Sequence, residues 1–152
     1  MVLTNLFANT RRLLLTGLFL LSSGVDAALC TQGNALLVEV HGITTPQGQM
    51  RIAIYDSPES YLGRDAPLFK TVIDVDSVSV TWDLCGIPPG DYALMTFHDR
   101  NANDRFDYGF MGMERESYGF SNNARPGLSP PPFAKASFRV EQGANRIQVE
   151  LR

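Results

Sequence analysis

Apolar residues recur at every second position in one short run after another, and this period decides what the chain can become. In Met50 to Asp56 (MRIAIYD), Met50, Ile52 and Ile54 fall on one side and Arg51, Ala53 and Tyr55 on the other. Successive side chains leave a strand in opposite directions, so a period of two marks an extended segment with one buried face. Ala35–His41, Leu68–Val75, Val78–Leu84, Asp91–His98, Lys135–Val140 and Arg146–Leu151 read the same way, and residues 141–145 supply a turn between the last two. In Ile87-Pro88-Pro89-Gly90 the prolines fix φ, and Gly90 is expected to take positive φ before the next strand. No later segment carries a sustained helical stripe, although Ser57 to Leu62 and the long loop of Asp99 to Phe133 are each compatible with a short helical turn. The pattern predicts an all-β fold: an antiparallel β-sandwich of about seven strands, with Trp82 in its core and one long ordered loop.

The segment before these strands reads as an address. Arg11 and Arg12 precede an apolar run, Leu13 to Leu21, and Val25-Asp26-Ala27 has the form of a cleavage site. The run is far shorter than the ~20 residues a spanning helix needs. The expected organisation is a signal peptide over residues 1–27 and one β-sandwich domain over 28–152, exported to the periplasm or cell envelope, with no transmembrane span in the mature chain. A hydrophobic fraction of 44% suits one globular domain, and a formal charge of -3 argues against nucleic acid as a partner. Cys30 and Cys85 are the two cysteines. Export and the even count favour a disulfide over two free thiols, and no Cys-x-x-Cys suggests redox chemistry.

Asp99 to Phe133 breaks the pattern with a long stretch rich in Asn, Asp, Gly, Pro and aromatic residues. A loop of that length inside a compact domain is functional or is ordered by something other than a sheet. It opens with Asp99, Asn101, Asn103 and Asp107, with the Arg105 carbonyl between the last two, which is the oxygen spacing of a calcium loop. Asp104 stands where such loops carry Gly, and Phe110 where they carry a bidentate Glu, so Glu114 or Glu116 would have to supply the missing acid. Two readings stay open. In one, a structural Ca2+ neutralises Asp99, Asp104 and Asp107 and orders the loop. In the other, Asp and Asn cap their own backbone in Asx turns with no ion.

Three stretches then carry a family resemblance: Pro88-Pro89-Gly90-Asp91-Tyr92-Ala93, the His98-Asp99-x-Asn101-x-Asn103 loop, and Tyr118-Gly119-Phe120-Ser121-Asn122-Asn123. With Pro132-Phe133-x-x-Ala136-x-Phe138 further on, the chain from about Leu36 to Leu151 resembles a family of small exported bacterial proteins catalogued as domain of unknown function 2141. The resemblance implies an exported sandwich of immunoglobulin- or transthyretin-like type, similar to carboxypeptidase-regulatory modules, and implies no activity.

The remaining candidates have ordinary readings beside functional ones. His98 could serve a small hydrolase together with Glu114 or Glu116, but a His at a strand end more often bonds a neighbouring loop. His41 could meet His98 at a metal. Tyr108, Phe110, Tyr118 and Phe120 could stack on sugars or could form a second small core. Ser121 lacks the glycines of a nucleophile elbow. The expected function is a non-enzymatic binding or accessory module that meets an envelope protein or glycan. A carbohydrate-binding module and a small hydrolase are the alternatives.

Overall fold

The computed structural model describes Cys30, residues 33–107 and residues 115–152. The expected signal peptide lies outside the described residues, as do Tyr108, Phe110 and Glu114. In chain order the elements are β1 (Ala35–His41), β2 (Gln49–Tyr55), α1 (Pro58–Tyr61), β3 (Phe69–Asp74), β4 (Val80–Cys85), β5 (Gly90–Asp99), β6 (Tyr118–Phe120), a 3-10 turn (Ser121–Asn123), α2 (Phe133–Ala136), β7 (Phe138–Val140) and β8 (Ala144–Glu150). A three-stranded sheet runs β4-β1-β8, and a five-stranded sheet runs β3-β2-β5-β6 with β7 also on β5. The two sheets bear out the all-β sandwich.

Alternation builds the core. Leu36, Val38 and Val40 of β1, Met50, Ile52 and Ile54 of β2, Leu94 of β5 and Val149 of β8 are buried in one cluster, with Trp82 packed against it. Burying each such side chain contributes about 1.5–3 kcal/mol relative to leaving it in water. Cys30 is bonded to Cys85, 55 residues away, which ties the arm before β1 to the end of β4. Closing a loop of that length stabilises the fold by about 4 kcal/mol in the chain-entropy model.

Four features depart from the sequence reading. Strand β6 lies inside the stretch expected to be loop, because three residues are too few to show a period. Strands β1 and β8 pair in parallel, whereas every other pair is antiparallel among the described residues. The expected strand from Lys135 is shortened, since Pro132 leads into the helical turn α2 before β7 begins at Phe138. Gly90 is not in the left-handed region; a Cβ there would come within 3.2 Å of the Tyr92 ring. Packing, and not φ, is what Gly90 answers. Tyr92 in turn donates its hydroxyl to the Pro88 carbonyl at 2.9 Å, closing the corner.

The segment Tyr118 to Asn123 is a staple between elements. Ser121 Oγ accepts from the Leu94 N–H at 2.9 Å and donates to the Ala136 carbonyl. Asn122 Nδ2 donates to the Ser137 carbonyl at 2.6 Å, and Asn123 Oδ1 accepts from the Glu150 N–H at 2.9 Å. Asn122 and Asn123 both hold positive φ, which Asn tolerates better than most residues. A Cβ on Gly119 would lie 2.6 Å from Val149 Cγ1 and 3.1 Å from the Glu150 carbonyl, so this strand touches β8 through bare backbone. Gly119→Ala is expected to cost about 1–3 kcal/mol by overpacking. The measurement is the urea midpoint, and an unchanged midpoint would show that the contact is soft.

Candidate functional site

Strand β2 shows one face to the core and the other outward, and the outward residues Arg51, Ala53 and Tyr55 are each half-buried. Its neighbours set two rows across the larger sheet. Lys70 of β3, Ala53, Met95 of β5 and Phe120 of β6 form one. Val72, Arg51, Phe97 and Tyr118 form the next. Ala53 carries a single methyl group where every neighbour in these rows is large. The sheet is therefore hollowed at its centre into a groove of about 650 Å³, walled on one side by residues 126–130. Phe106 of the Asp/Asn loop meets Phe97 and Tyr118 edge to face, with ring centroids 5.6 and 5.7 Å apart, and closes one end. Tyr118 meets Phe120 in the same manner at 5.8 Å. At the other end Tyr55, Tyr61 of α1 and Phe133 of α2 stack edge to face in a second small core that includes Phe120. Two of the five large exposed hydrophobic residues among those described, Val72 and Leu128, line the groove.

The Asp/Asn loop folds on itself beside Arg51. Asp99 is fully buried, and its Oδ1 accepts the Asn103 N–H at 3.0 Å. Its Oδ2 accepts the Asp104 N–H at 2.9 Å and Arg51 Nε at 2.8 Å. Arg51 also bonds Asp104. Asn101 Nδ2 donates to Asp107 at 2.8 Å, and Asn103 Nδ2 donates to both oxygens of that carboxylate at 3.2 Å. Asn103 Oδ1 accepts the Arg105 N–H at 2.9 Å. Glu116, also buried, accepts the Arg100 and Asp107 N–H groups at 3.0 Å each, so it clips the far end of the loop to its start. Asp104 takes φ +66°, the left-handed conformation that its place in the loop demands.

The structure thus brings Asp99, Asn101, Asn103, Arg105, Asp107 and Glu116 into one hydrogen-bonded knot, while Glu114 lies outside the described residues. Among the described residues no group of three or more His, Cys, Asp or Glu side chains is disposed to hold a metal ion. The cation that faces Asp99 and Asp104 is Arg51. Sequence reading missed it because Arg51 lies 48 residues before Asp99, and only the β2–β5 register sets the two side by side. His98 and His41 sit in different sheets. His98 is buried with Nε2 2.7 Å from the Gln47 carbonyl, the strand-end contact that the ordinary reading expects.

Two carboxylates are held below their ordinary range. Burial pushes Asp99 up, but the Arg51 guanidinium and the Asn103 and Asp104 N–H groups together outweigh it. Glu39 is drawn down to about 2, first by Arg146 and then by Gln148. A depressed carboxyl binds fewer protons in the folded state than in the unfolded one. The stability it contributes is present above the unfolded value near 4 and is lost as the pH falls below it, for Glu39 toward about 2. Urea midpoints measured from pH 6 to pH 2 are therefore expected to fall, and Glu39→Gln should flatten part of the slope. Arg51→Met leaves Asp99 as a buried charge without its cation. It is expected to cost about 3 kcal/mol at neutral pH, the low end for a broken buried pair because Arg51 keeps some solvent contact. A loss below ~0.5 kcal/mol would show that the pair is screened like a surface one.

Residues 38–148 match the family model described as "Uncharacterized protein conserved in bacteria (DUF2141)". No curated protein matches the chain, and no solved structure does.

Proposed function

The chain belongs to this bacterial family of uncharacterized proteins, and from that premise we propose that it is an exported, non-enzymatic binding module whose ligand lies in the groove over Ala53. The observation that carries the reading is the hollow itself. Ligand sites are concave, mostly apolar and about 300–1,000 Å³ in volume, and this one falls within that range. Exposed Val72 and Leu128 at its lining are the kind of apolar surface that marks a contact site. Export is supported by the Cys30–Cys85 bond, which persists in oxidising compartments. No helix among the described residues is long and apolar enough to cross a membrane. The non-enzymatic reading is supported by the duties of the polar candidates: His98 bonds a backbone carbonyl, while Glu116 and Ser121 tie backbone segments together. A sugar platform needs ring faces laid open side by side. The groove's rings meet edge to face, which favours an apolar body over a glycan.

The test is a neutral apolar fluorophore, N-phenyl-1-naphthylamine, titrated into the mature domain. Saturable binding at one site is expected, with loss in Ala53→Trp, which fills the hollow while keeping the melting temperature within a few degrees. Equal binding by the wild-type protein and a folded Ala53→Trp variant would place the fluorophore elsewhere.

A second reading concerns the loop, whose knot carries several oxygen donors, although no three acidic side chains among the described residues share one centre as they stand, so an ion would have to rearrange bonds already made. Asp99, Asn101, Asn103, the Arg105 carbonyl, Asp107 and Glu116 are hard donors of the kind Ca2+ takes. Each carboxylate oxygen has two lone-pair sites, so capping one N–H leaves room for an ion. Asp99 Oδ2 already accepts from both Arg51 and Asp104, so an ion there competes with Arg51. Calcium is then expected to raise the melting temperature of the wild-type protein and to recover part of the stability lost in Arg51→Met. An ion at a hundredfold excess over its Kd stabilises by about 2.7 kcal/mol. No shift in either protein, with calcium or with chelator, leaves the Asx-turn reading alone.

A further inference from the structure

From the charges of the groove we infer the chemistry of its occupant: a single-chain amphiphile with an anionic head, seated with the head at Lys70 and the chain across Ala53 and Met95 toward Phe120. The inference rests on the groove being the ligand site. Among the described residues the only charged side chains lining the groove are Arg51 and Lys70, both cationic, in a chain whose formal charge is -3. Arg51 is taken up by Asp99 and Asp104, so the charge the groove offers a ligand is the ammonium of Lys70, opposite in sign to the chain as a whole, and a positive lining favours an anion.

The two cations differ in what they have left to offer. Arg51 is bonded to Asp99 and Asp104. Lys70 is exposed on β3, and no acidic side chain among the described residues pairs with it. Its ammonium is a compact charge on a flexible stem, able to follow a head group at the groove mouth. The lining beyond it changes character. Past Ala53 the row continues through Met95 to Phe120, and the proline-bounded wall around Leu128 also lines the groove. Met fills irregular space and adapts to a flexible chain. A cation on the edge strand beside an apolar groove matches a ligand with an anion at one end of an apolar chain. One small residue, Ala53, makes the hollow, which limits it to a slender occupant such as a single chain.

The experiment displaces N-phenyl-1-naphthylamine from the mature domain with dodecanoate, dodecanol or dodecyltrimethylammonium, each below its micelle or solubility limit. The expected result is displacement by dodecanoate at one equivalent, about tenfold weaker displacement by dodecanol, and least by the cation, a tenfold step corresponding to ~1.4 kcal/mol. Lys70→Met should erase the preference for dodecanoate over dodecanol, and Lys70→Glu should reverse the preference between anion and cation. Lys70 is exposed and outside the core, so an unchanged melting temperature reports that each variant is folded. Equal displacement by all three in wild type and in Lys70→Glu would overturn the anionic head and leave the groove reading standing. Failure of the fluorophore to bind at all would overturn both. Displacement only where dodecanoate forms micelles would count as detergent action and would overturn the inference.

Discussion

The antiparallel register of β2 against β5 is the constraint from which the rest of the molecule follows. It sets Met50, Ile52 and Ile54 toward the smaller sheet, and in the same step it lines up Arg51, Ala53 and Tyr55 along the outer face. A slip of one residue would exchange these faces, putting a guanidinium into the core and three aliphatic side chains into water. One strand therefore carries three of the sixteen buried residues of the main core among those described, one partner of the buried ion pair and the floor of the groove. A change of register would move all three together.

The ion pair at the sheet's end joins fold to site. Burying Asp99 is costly, and its carboxylate is kept ionised by three donors: Arg51 and two backbone N–H groups of the loop that follows. Those bonds also dictate the path of the loop, because the acceptor holds the N–H groups of Asn103 and Asp104 in place. Glu116 repeats the device from the other side, accepting one N–H near each end of the excursion. The loop so held carries Phe106 onto Phe97 and Tyr118. Electrostatics at one corner thus ends as aromatic packing along the groove.

Much of the polar motif between β5 and β7 is architecture. Gly119, Ser121, Asn122 and Asn123, which belong to the stretch that carries the family resemblance, each meet β5, α2 or β8 in a structural contact. The reason is physical. This segment crosses between sheet and helical turn with few ladder bonds of its own, and its buried neighbours' N–H and C=O groups need partners. Small polar side chains at the crossing supply them. The strand β6 that precedes the turn is too short to announce itself by alternation and is defined by its three partners on β5.

Local information determined what is local. A period of two is a property of successive residues, so six of the eight strands could be read at nearly their observed bounds, as could the helical turn after Ser57 and the left-handed Asp104. The oxygen spacing of Asp99 to Asp107 was equally visible, because Asx turns and ion loops both form within a few residues. Tertiary structure alone decided which partners those groups meet. Arg51 beside Asp99, Lys70 beside Ala53 and Met95, and Val149 against Gly119 are separated by long stretches of chain and come together only when strand register brings them together. The hollow over Ala53 belongs to the same class. A single alanine in an alternating strand carries no signal by itself, and it becomes a floor only when larger side chains from three other strands rise around it.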